Sequence, residues 1–309
     1  MRYAVTGGAG FIGSAIVRKL LEQPDNEVVI CYVGNPRSSY LDEPKIDQSR
    51  VDFWVADVRD RKALEDCFAG VDGVFHCAAY SKITDCIKNP DLAIDVNVKG
   101  TMNVLLAAKK NGVGRVVYSA SASVYGENDR AIATETDSPK PMNAYGSTKY
   151  FGEVLCRQFA SYEGVDTVSL RYYNVFGSEL AVSGKVPFPG VVERFLYARI
   201  HSQPLTIIGD GQQQRSVVSV DDVVVANLQA MRIAAPLLGD AFNISSGKHY
   251  STSEIAEMIG GPTISIQASY LEPHVMCGFM SKAAAELKFK GSPYALEEFI
   301  ARMKKKYNI

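Results

Sequence analysis

The chain has 309 residues, 47% of them hydrophobic, enough to bury one large core or two modest ones. Its net charge of -1 removes any bulk electrostatic case for a nucleic-acid or membrane partner, and no apolar run reaches membrane-spanning length. The six cysteines (Cys31, Cys67, Cys77, Cys86, Cys156, Cys277) form no C-x-x-C pair, so neither a metal site nor a disulfide framework is expected.

A strand starting at Arg2 leaves no room for a signal peptide, and a reducing cytoplasm is the expected setting. Ala4 and Val5 end that strand. Gly7, Gly10 and Gly13 follow at three-residue spacing, and Ser14 to Leu21 places Ile16, Val17, Leu20 and Leu21 on one helical face. Strand, glycine turn and helix in this order form the context in which such a motif binds a dinucleotide. One glycine makes the tight turn, one lets backbone approach a pyrophosphate, and one lets helix pack on strand. The phosphates sit at the helix N-terminus, where unpaired N–H groups favour negative charge.

Val28 to Val33 reads as the second strand. A dinucleotide fold carries an acidic residue at its end, on the adenosine ribose. Tyr32 stands there instead, Glu27 lies at the wrong end and Asp42 well beyond. Arg37, Ser38 and Ser39 follow in the loop, where they serve either as contacts to a 2′-phosphate or simply as solvated loop residues. Val51 to Val55 is the third strand, Lys62 to Phe68 a short helix, and Val71 to Cys77 the fourth strand, in which His76 is expected to pack rather than act as a base. A helix covers Pro90 to Asn111, with Gly100 marking a close contact. Arg115 to Ser121 is the fifth strand, a helix opens near Asn143 and runs to about Tyr162, and Asp166 to Arg171 is the sixth strand. This alternation implies an α/β fold, with parallel strands and helices on both faces.

Beyond Gly177 the pattern changes. Ser178 to Pro189 reads as a loop, Val191 to Arg199 as a helix and Leu205 to Ile208 as a strand. Ser216 to Val220 and Ala241 to Ile244 are strands around a helix from Asp221 to Met231, and Thr252 to Met258 and Leu296 to Tyr307 are closing helices. The expected architecture is a Rossmann-type doubly wound sheet with a smaller C-terminal substrate-binding lobe. Residues 1–177 and about 214–247 make the dinucleotide-binding part; about 178–213 and 248–309 make the lobe.

Tyr145 and Lys149 stand four apart at a helix start, and so share a face. A phenol near 10 is a poor base. An adjacent ammonium and a positively charged nicotinamide favour the phenolate, which can then exchange a proton with a substrate hydroxyl. Ser119, Ser121 and Ser123 alternate and point to one side of the fifth strand. Spacing does not choose among them.

The motifs T-G-G-A-G-F-I-G (6–13), Asp57-Val58, H-C-A-A (76–79), Asn97, S-A-S-V-Y-G (121–126), Y-G-S-T-K (145–149), R-Y-Y-N-V-F-G (171–177), G-D-G-Q-Q-Q-R (209–215), V-D-D-V (220–223) and F-N-I-S-S-G (242–247) occur in one order along about four-fifths of the chain. In them the chain resembles the extended short-chain dehydrogenase/reductases, specifically the NAD-dependent epimerase/dehydratase group acting on nucleotide sugars. The resemblance implies that Gly7, Gly10, Phe11, Ile12 and Gly13 hold the cofactor pyrophosphate and that Asp57 and Val58 meet the adenine. It implies that Ala78, Ala79 and Asn97 also line the cofactor. It makes Ser121 the catalytic serine, Tyr145 the acid/base and Lys149 its partner, the last two touching cofactor too. Asn174 and Arg215 become substrate contacts, Arg215 on the nucleotide phosphates.

Dehydratases of this group carry an acidic pair just after the catalytic Ser/Thr, where this chain has Ala122 and Ser123. Its decarboxylases carry a Glu before V-Y-G, where Ser123 stands. The remaining Ser-Tyr-Lys set resembles the epimerases. It implies 4-epimerisation of a nucleotide sugar, UDP-glucose/galactose type first, through a 4-keto intermediate. NAD is the implied cofactor, NADP being possible given Tyr32, and a homodimer through helices near 95–111 and 147–162 is implied too. The alternatives are an NAD(P)-dependent reductase or dehydratase of the same fold, and a non-catalytic NAD(P)-binding regulator.

Overall fold

The computed structural model describes residues 1–34, 47–127, 132–187, 190–267 and 273–309. Arg37, Ser38, Ser39 and Asp42 lie outside the described residues.

Strands β1 (Arg2–Thr6), β2 (Glu27–Tyr32), β3 (Val51–Val55), β4 (Gly73–His76), β5 (Arg115–Ser121) and β6 (Asp166–Tyr172) occupy the expected positions. With β10 (Ala241–Ile244) they form one sheet in the order β10-β6-β5-β4-β1-β2-β3, every pair parallel. This is the Rossmann order extended by one strand. A sheet covered on both faces needs strands that are apolar throughout, and all seven residues of β5 are buried. Helices α1 (Phe11–Leu21) and α9 (Val220–Arg232) pack together on one side. On the other lie α2 (Arg61–Cys67), α5 (Gly100–Asn111) and α6 (Ala144–Gln158). Each side has its own buried cluster, one around Ile16, Leu20 and Phe242, the other around Leu64, Phe68 and Leu105.

The helix expected over Pro90 to Asn111 is α4 (Pro90–Ile94), a π-helical turn (Asp95–Lys99) and α5 in sequence. A Cβ on Gly100 would meet Val58 Cγ2 at 2.6 Å, which explains the glycine. A short α3 (Ile83–Lys88), not expected from the sequence, lies against α6.

The C-terminal part contains β7 (Asn174–Phe176), α7 (Glu179–Val182), α8 (Val191–Ile200), β8 (Leu205–Ile208), β9 (Gln214–Ser219), β11 (His249–Ser251), α10 (Thr252–Ile259), β12 (Thr263–Ile266), β13 (Val275–Met276) and α11 (Ala295–Tyr307). A four-stranded sheet sets β9 between β11 and β13 and adds β7, and β12 pairs with β8. Phe195, Leu205, Ile207, Ile259, Phe299 and Met303 form a third buried cluster there. Residues 214–219, expected with the dinucleotide-binding part, pair only with strands of this second sheet, because β7, β11 and β13 supply their hydrogen-bond partners. Helix α9 packs on β5 and β6 as well as on β7 and β9, and β10 pairs with β6.

Candidate active site

The strand ends carry the chemistry. A cavity of about 1000 Å³ opens along the C-terminal edge of the large sheet and reaches β7 and β13 of the second. Its walls include Gly7, Gly10, Phe11, Ile12, Gly13, Asp57, Val58, Ala78, Ala79, Ser121, Tyr145, Lys149 and Asn174. Two expected residues, Asn97 and Arg215, are not among them.

At one end the chain turns from β1 into α1. Gly7 has φ +66, and a Cβ there would stand 2.8 Å from the Ala78 amide nitrogen. A Cβ on Gly13 would stand 2.3 Å from the Gly7 carbonyl oxygen. Gly10 is the N-cap of α1, exposed, and no side chain caps that helix end. A Cβ on Gly10 would meet only the Gly7 oxygen, at 3.2 Å. These residues therefore form a bare cradle at a helix N-terminus, open on the cavity side, which fits the pyrophosphate of a dinucleotide.

Tyr32, Asp57, Val58 and Arg59 border the same cavity. Asp57 is tied down by Arg59, which donates to it from its backbone N–H at 2.9 Å and from its guanidinium at 2.6 and 3.0 Å. Those hydrogen bonds hold the Asp57 carboxyl below its ordinary range. Tyr32 sets its ring edge-on to Phe53 with centroids 6.4 Å apart.

Ser119 and Ser121 of β5 face the cavity together with Ser123, which lies not on the strand, as the alternation predicts, but in the 3-10 turn Ala122–Val124 that follows it, and their partners separate them. Ser119 Oγ reaches Cys77 Sγ and Tyr172 Oη, both at 3.3 Å. Ser121 Oγ donates to Ser123 Oγ at 3.1 Å and accepts the Ser123 N–H at 3.2 Å. It also lies close enough to the Tyr145 phenol to pull its pKa down. Asn143 caps α6 by accepting the Gly146 N–H at 2.9 Å, which fixes the helix start that carries Tyr145 and Lys149.

Lys149 is 3% exposed. Its ammonium donates to the Ser119 carbonyl at 2.8 Å and lies 5.9 Å from the centre of the Tyr145 ring. Burial pulls the Lys149 pKa down to about 8. Burial pushes the phenol of Tyr145 up to about 12 against the pull of the Ser121 hydroxyl; the depression expected of the ammonium and a nicotinamide together belongs to the cofactor-loaded site.

Asn97 is 2% exposed in the π-helical turn. Its Oδ1 accepts from the Tyr80 N–H at 2.8 Å, and its Nδ2 donates to Tyr80 O and Thr148 Oγ1, each at 3.0 Å. All of its amide is engaged within the protein, so it braces the wall rather than lining it. Arg215 lies on β9, with Nη1 donating to Gln214 O at 3.0 Å and His274 O at 3.2 Å. Its in-register neighbour Met276 does wall the cavity. Asn174 opens β7 and is exposed to the cavity. Arg59, Tyr173 and Met276 were not singled out from the sequence. For Arg59 a signal existed, a cation two residues after Asp57, and for Tyr173 its place in the R-Y-Y-N-V-F-G motif beside Asn174; for Met276 there was none. Among the described residues no group of three His, Cys, Asp or Glu is placed to hold a metal ion, and no helix is long and apolar enough to cross a membrane.

A Rossmann sheet with a glycine cradle at one end of its cavity and Ser-Tyr-Lys at the other defines an extended short-chain dehydrogenase/reductase. Residues 3–245 match the model of the NAD dependent epimerase/dehydratase family, and the chain belongs to that family. It is 31% identical over 274 residues to a UDP-glucose 4-epimerase of Lactobacillus helveticus, covering 83% of this chain and 80% of that one. Among solved structures it resembles the UDP-glucuronic acid 4-epimerase of Bacillus cereus in complex with UDP-glucuronic acid and NAD (TM-score 0.89, 25% identity, 100% of this chain and 99% of that one). It also resembles the UDP-glucose 4-epimerase of Thermotoga maritima with UDP-glucose (TM-score 0.87, 28% identity, 99% of each chain).

Proposed function

We propose that this chain is an NAD-dependent nucleotide-sugar 4-epimerase, acting on a UDP-hexose of the glucose/galactose type. The observation that carries the reading is the meeting of Ser121, Tyr145 and Lys149 on one cavity wall, with Ala122 and Ser123 where a dehydratase needs carboxylates. The relatives and solved neighbours support NAD and a UDP-sugar.

When bound, NAD⁺ supplies a hydride acceptor that can return what it takes, and a positive charge beside the phenol. Gly7, Gly10 and Gly13 hold the pyrophosphate on the N-terminus of α1. Ser121 hydrogen-bonds the sugar's 4-hydroxyl and orients it toward Tyr145. Tyr145 Oη takes that proton and later gives it back to the opposite epimer. Lys149 supplies a nearby cation, anchored on Ser119 O, that favours the phenolate. Asn174 and the polar wall around Ser123 contact the sugar loosely enough for the 4-keto form to turn. The nucleotide must be gripped elsewhere, and Arg215 remains a candidate for its phosphates through movement of the β9–β13 edge.

The division of labour broadly tracks the two sheets, although Ala283, Leu287 and Phe289 of the C-terminal part pack into the cluster of the large sheet. Residues 1–177 with 220–247 bind the dinucleotide, and 178–219 with 248–309 bind the nucleotide sugar. Ile94, Met102, Phe151 and Val154 are exposed on α4, α5 and α6, at 45%, 41%, 57% and 38%. Such apolar side chains at helical spacing on neighbouring helices suit a homodimer. Six free thiols suit a reducing cytoplasm.

The test is a panel of nucleotide sugars followed by NMR, with and without added NAD⁺ or NADP⁺. The reading expects interconversion of C4 epimers with no net cofactor consumption. Tyr145→Phe should lower that rate by roughly 10²–10⁴. Interconversion that survives in Tyr145→Phe refutes the mechanism, and stoichiometric NADPH oxidation refutes the epimerase in favour of a reductase.

A further inference from the structure

His76 is 1% exposed at the end of β4, behind the cavity wall, and plays no part in the proton exchange above. Its two ring nitrogens both meet hydroxyls, Nδ1 that of Thr6 at 2.7 Å and Nε2 that of Thr101 at 3.0 Å. The hydrogens in this chain can be assigned. Thr101 has one hydroxyl hydrogen, and it points to the Asn97 carbonyl at 2.6 Å. Thr101 Oγ1 must then accept, so the imidazole carries its proton on Nε2. At the other nitrogen, Thr6 Oγ1 accepts the Ala78 N–H at 3.3 Å and gives its own hydrogen to Nδ1. The opposite tautomer would set an N–H against Thr6 and leave the Asn97 carbonyl without its donor.

The relay continues in both directions. Ala78 packs on the Gly7 turn. Asn97 holds Tyr80 and Thr148, and Thr148 Oγ1 donates to the Tyr145 carbonyl at 2.9 Å. We propose that His76 is a positioning residue of the cofactor wall, an imidazole protonated on Nε2 that sets Ala78 from one nitrogen and the Asn97–Tyr80 brace from the other. It acts through hydroxyls and touches neither cofactor nor substrate. The titratable groups facing it are Tyr118 of β5, with ring centroids 5.6 Å apart, and Lys149 of α6. Burial first, and the Lys149 charge second, hold its pKa down to about 3, so the single proton stays in place.

The role rests on the reading of the cavity as a dinucleotide site, and the experiment separates the two. NMR of ring-¹⁵N-labelled histidine should show His76 with a protonated Nε2 and a bare Nδ1, unchanged from about pH 5 to 8. NAD⁺ affinity by calorimetry should fall roughly tenfold in His76→Phe, and similarly in Thr6→Val, which keeps the ring and removes the acceptor of the Ala78 N–H. Should His76→Phe fail to fold, Thr6→Val and the ring spectrum decide. A ring that titrates near 6.5, or carries its proton on Nδ1, overturns the inference. So do variants that bind NAD⁺ as tightly as the wild type does. Wild-type protein that binds no NAD⁺ overturns the reading of the cavity itself.

Discussion

Gly10 and Gly13 look alike in the motif, and their surroundings predict opposite phenotypes for the same substitution. An alanine at Gly13 would place Cβ 2.3 Å from the Gly7 oxygen and 2.9 Å from the Gly8 Cα. Carbon and carbonyl oxygen normally meet at roughly 3.3–3.6 Å. The obstructing atoms are backbone, so α1 must move off its turn, at a cost of about 1–3 kcal/mol for overpacking. At Gly10 the only neighbour is the Gly7 oxygen at 3.2 Å, and φ -85 with ψ 179 suits any residue. Gly10→Ala should therefore leave the free protein's stability within about 0.5 kcal/mol. Its methyl instead enters the space where backbone approaches pyrophosphate. Losing one or two hydrogen bonds to a charged group, at about 1.5–3 kcal/mol each, predicts at least a 10-fold weaker NAD⁺ affinity and about 100-fold at mid-range. Urea unfolding without cofactor gives the first quantity and titration calorimetry the second. If Gly10→Ala binds NAD⁺ within about threefold of wild type, the pyrophosphate is not on this turn.

Lys149 gives a pH-dependent prediction. Its pKa is about 8 in the folded protein, against about 10.4 in an unfolded chain, so folding releases a proton between these values and stability rises with pH there. The penalty of the buried cation, of order 3 kcal/mol, is full below pH 8 and gone above pH 10.4. Lys149→Met should be inactive yet melt higher than wild type at pH 7, with an advantage that shrinks toward pH 10; an advantage that grows with pH refutes this. Arg171 and Glu153 form a bidentate pair at 2.7 and 2.8 Å with side chains only 3% and 2% exposed. Arg171→Met should cost about 3–5 kcal/mol in urea unfolding, and the double change with Glu153→Met distinctly less; equal losses would show that the pair does not act as one. Phe151→Glu should turn a dimer into a monomer in analytical ultracentrifugation, and an unchanged mass would move the interface elsewhere.

The large sheet is legible in the sequence because strands buried on both faces favour unbroken apolar runs, such as Val28 to Val33 around β2. β7, β11, β12 and β13 escape notice because two to four residues are too short to show a period. The site divides in the same way. Tyr145 and Lys149 are readable because a helix fixes their relation, and the glycines because of strand and helix around them. Ser119 and Ser121 share one side of β5, so only their partners distinguish them. Asn97 shows what a motif leaves out: its position says nothing of the hydrogen bonds by which its amide holds Tyr80 and Thr148. Whether an amide faces a ligand or its own fold depends on a partner far along the chain, and for Asn97 that is Thr148.

The last strand of the large sheet, β10, pairs with β6, and Ala241 meets Ser169 only after the chain has travelled through α8, β8 and β9. A growing polypeptide therefore presents β6 as an open edge for the whole time the intervening segment is being made. Its N–H and C=O groups are then available to any other extended chain, the usual route to aggregation. Arg171, on that strand, bonds Glu153 on α6 and Tyr125 beyond β5, both of which emerge earlier. The ion pair itself needs nothing that is made after β6, whereas the Tyr125 hydroxyl that Arg171 also holds gains its second partner, Asn243, only when β10 is in place.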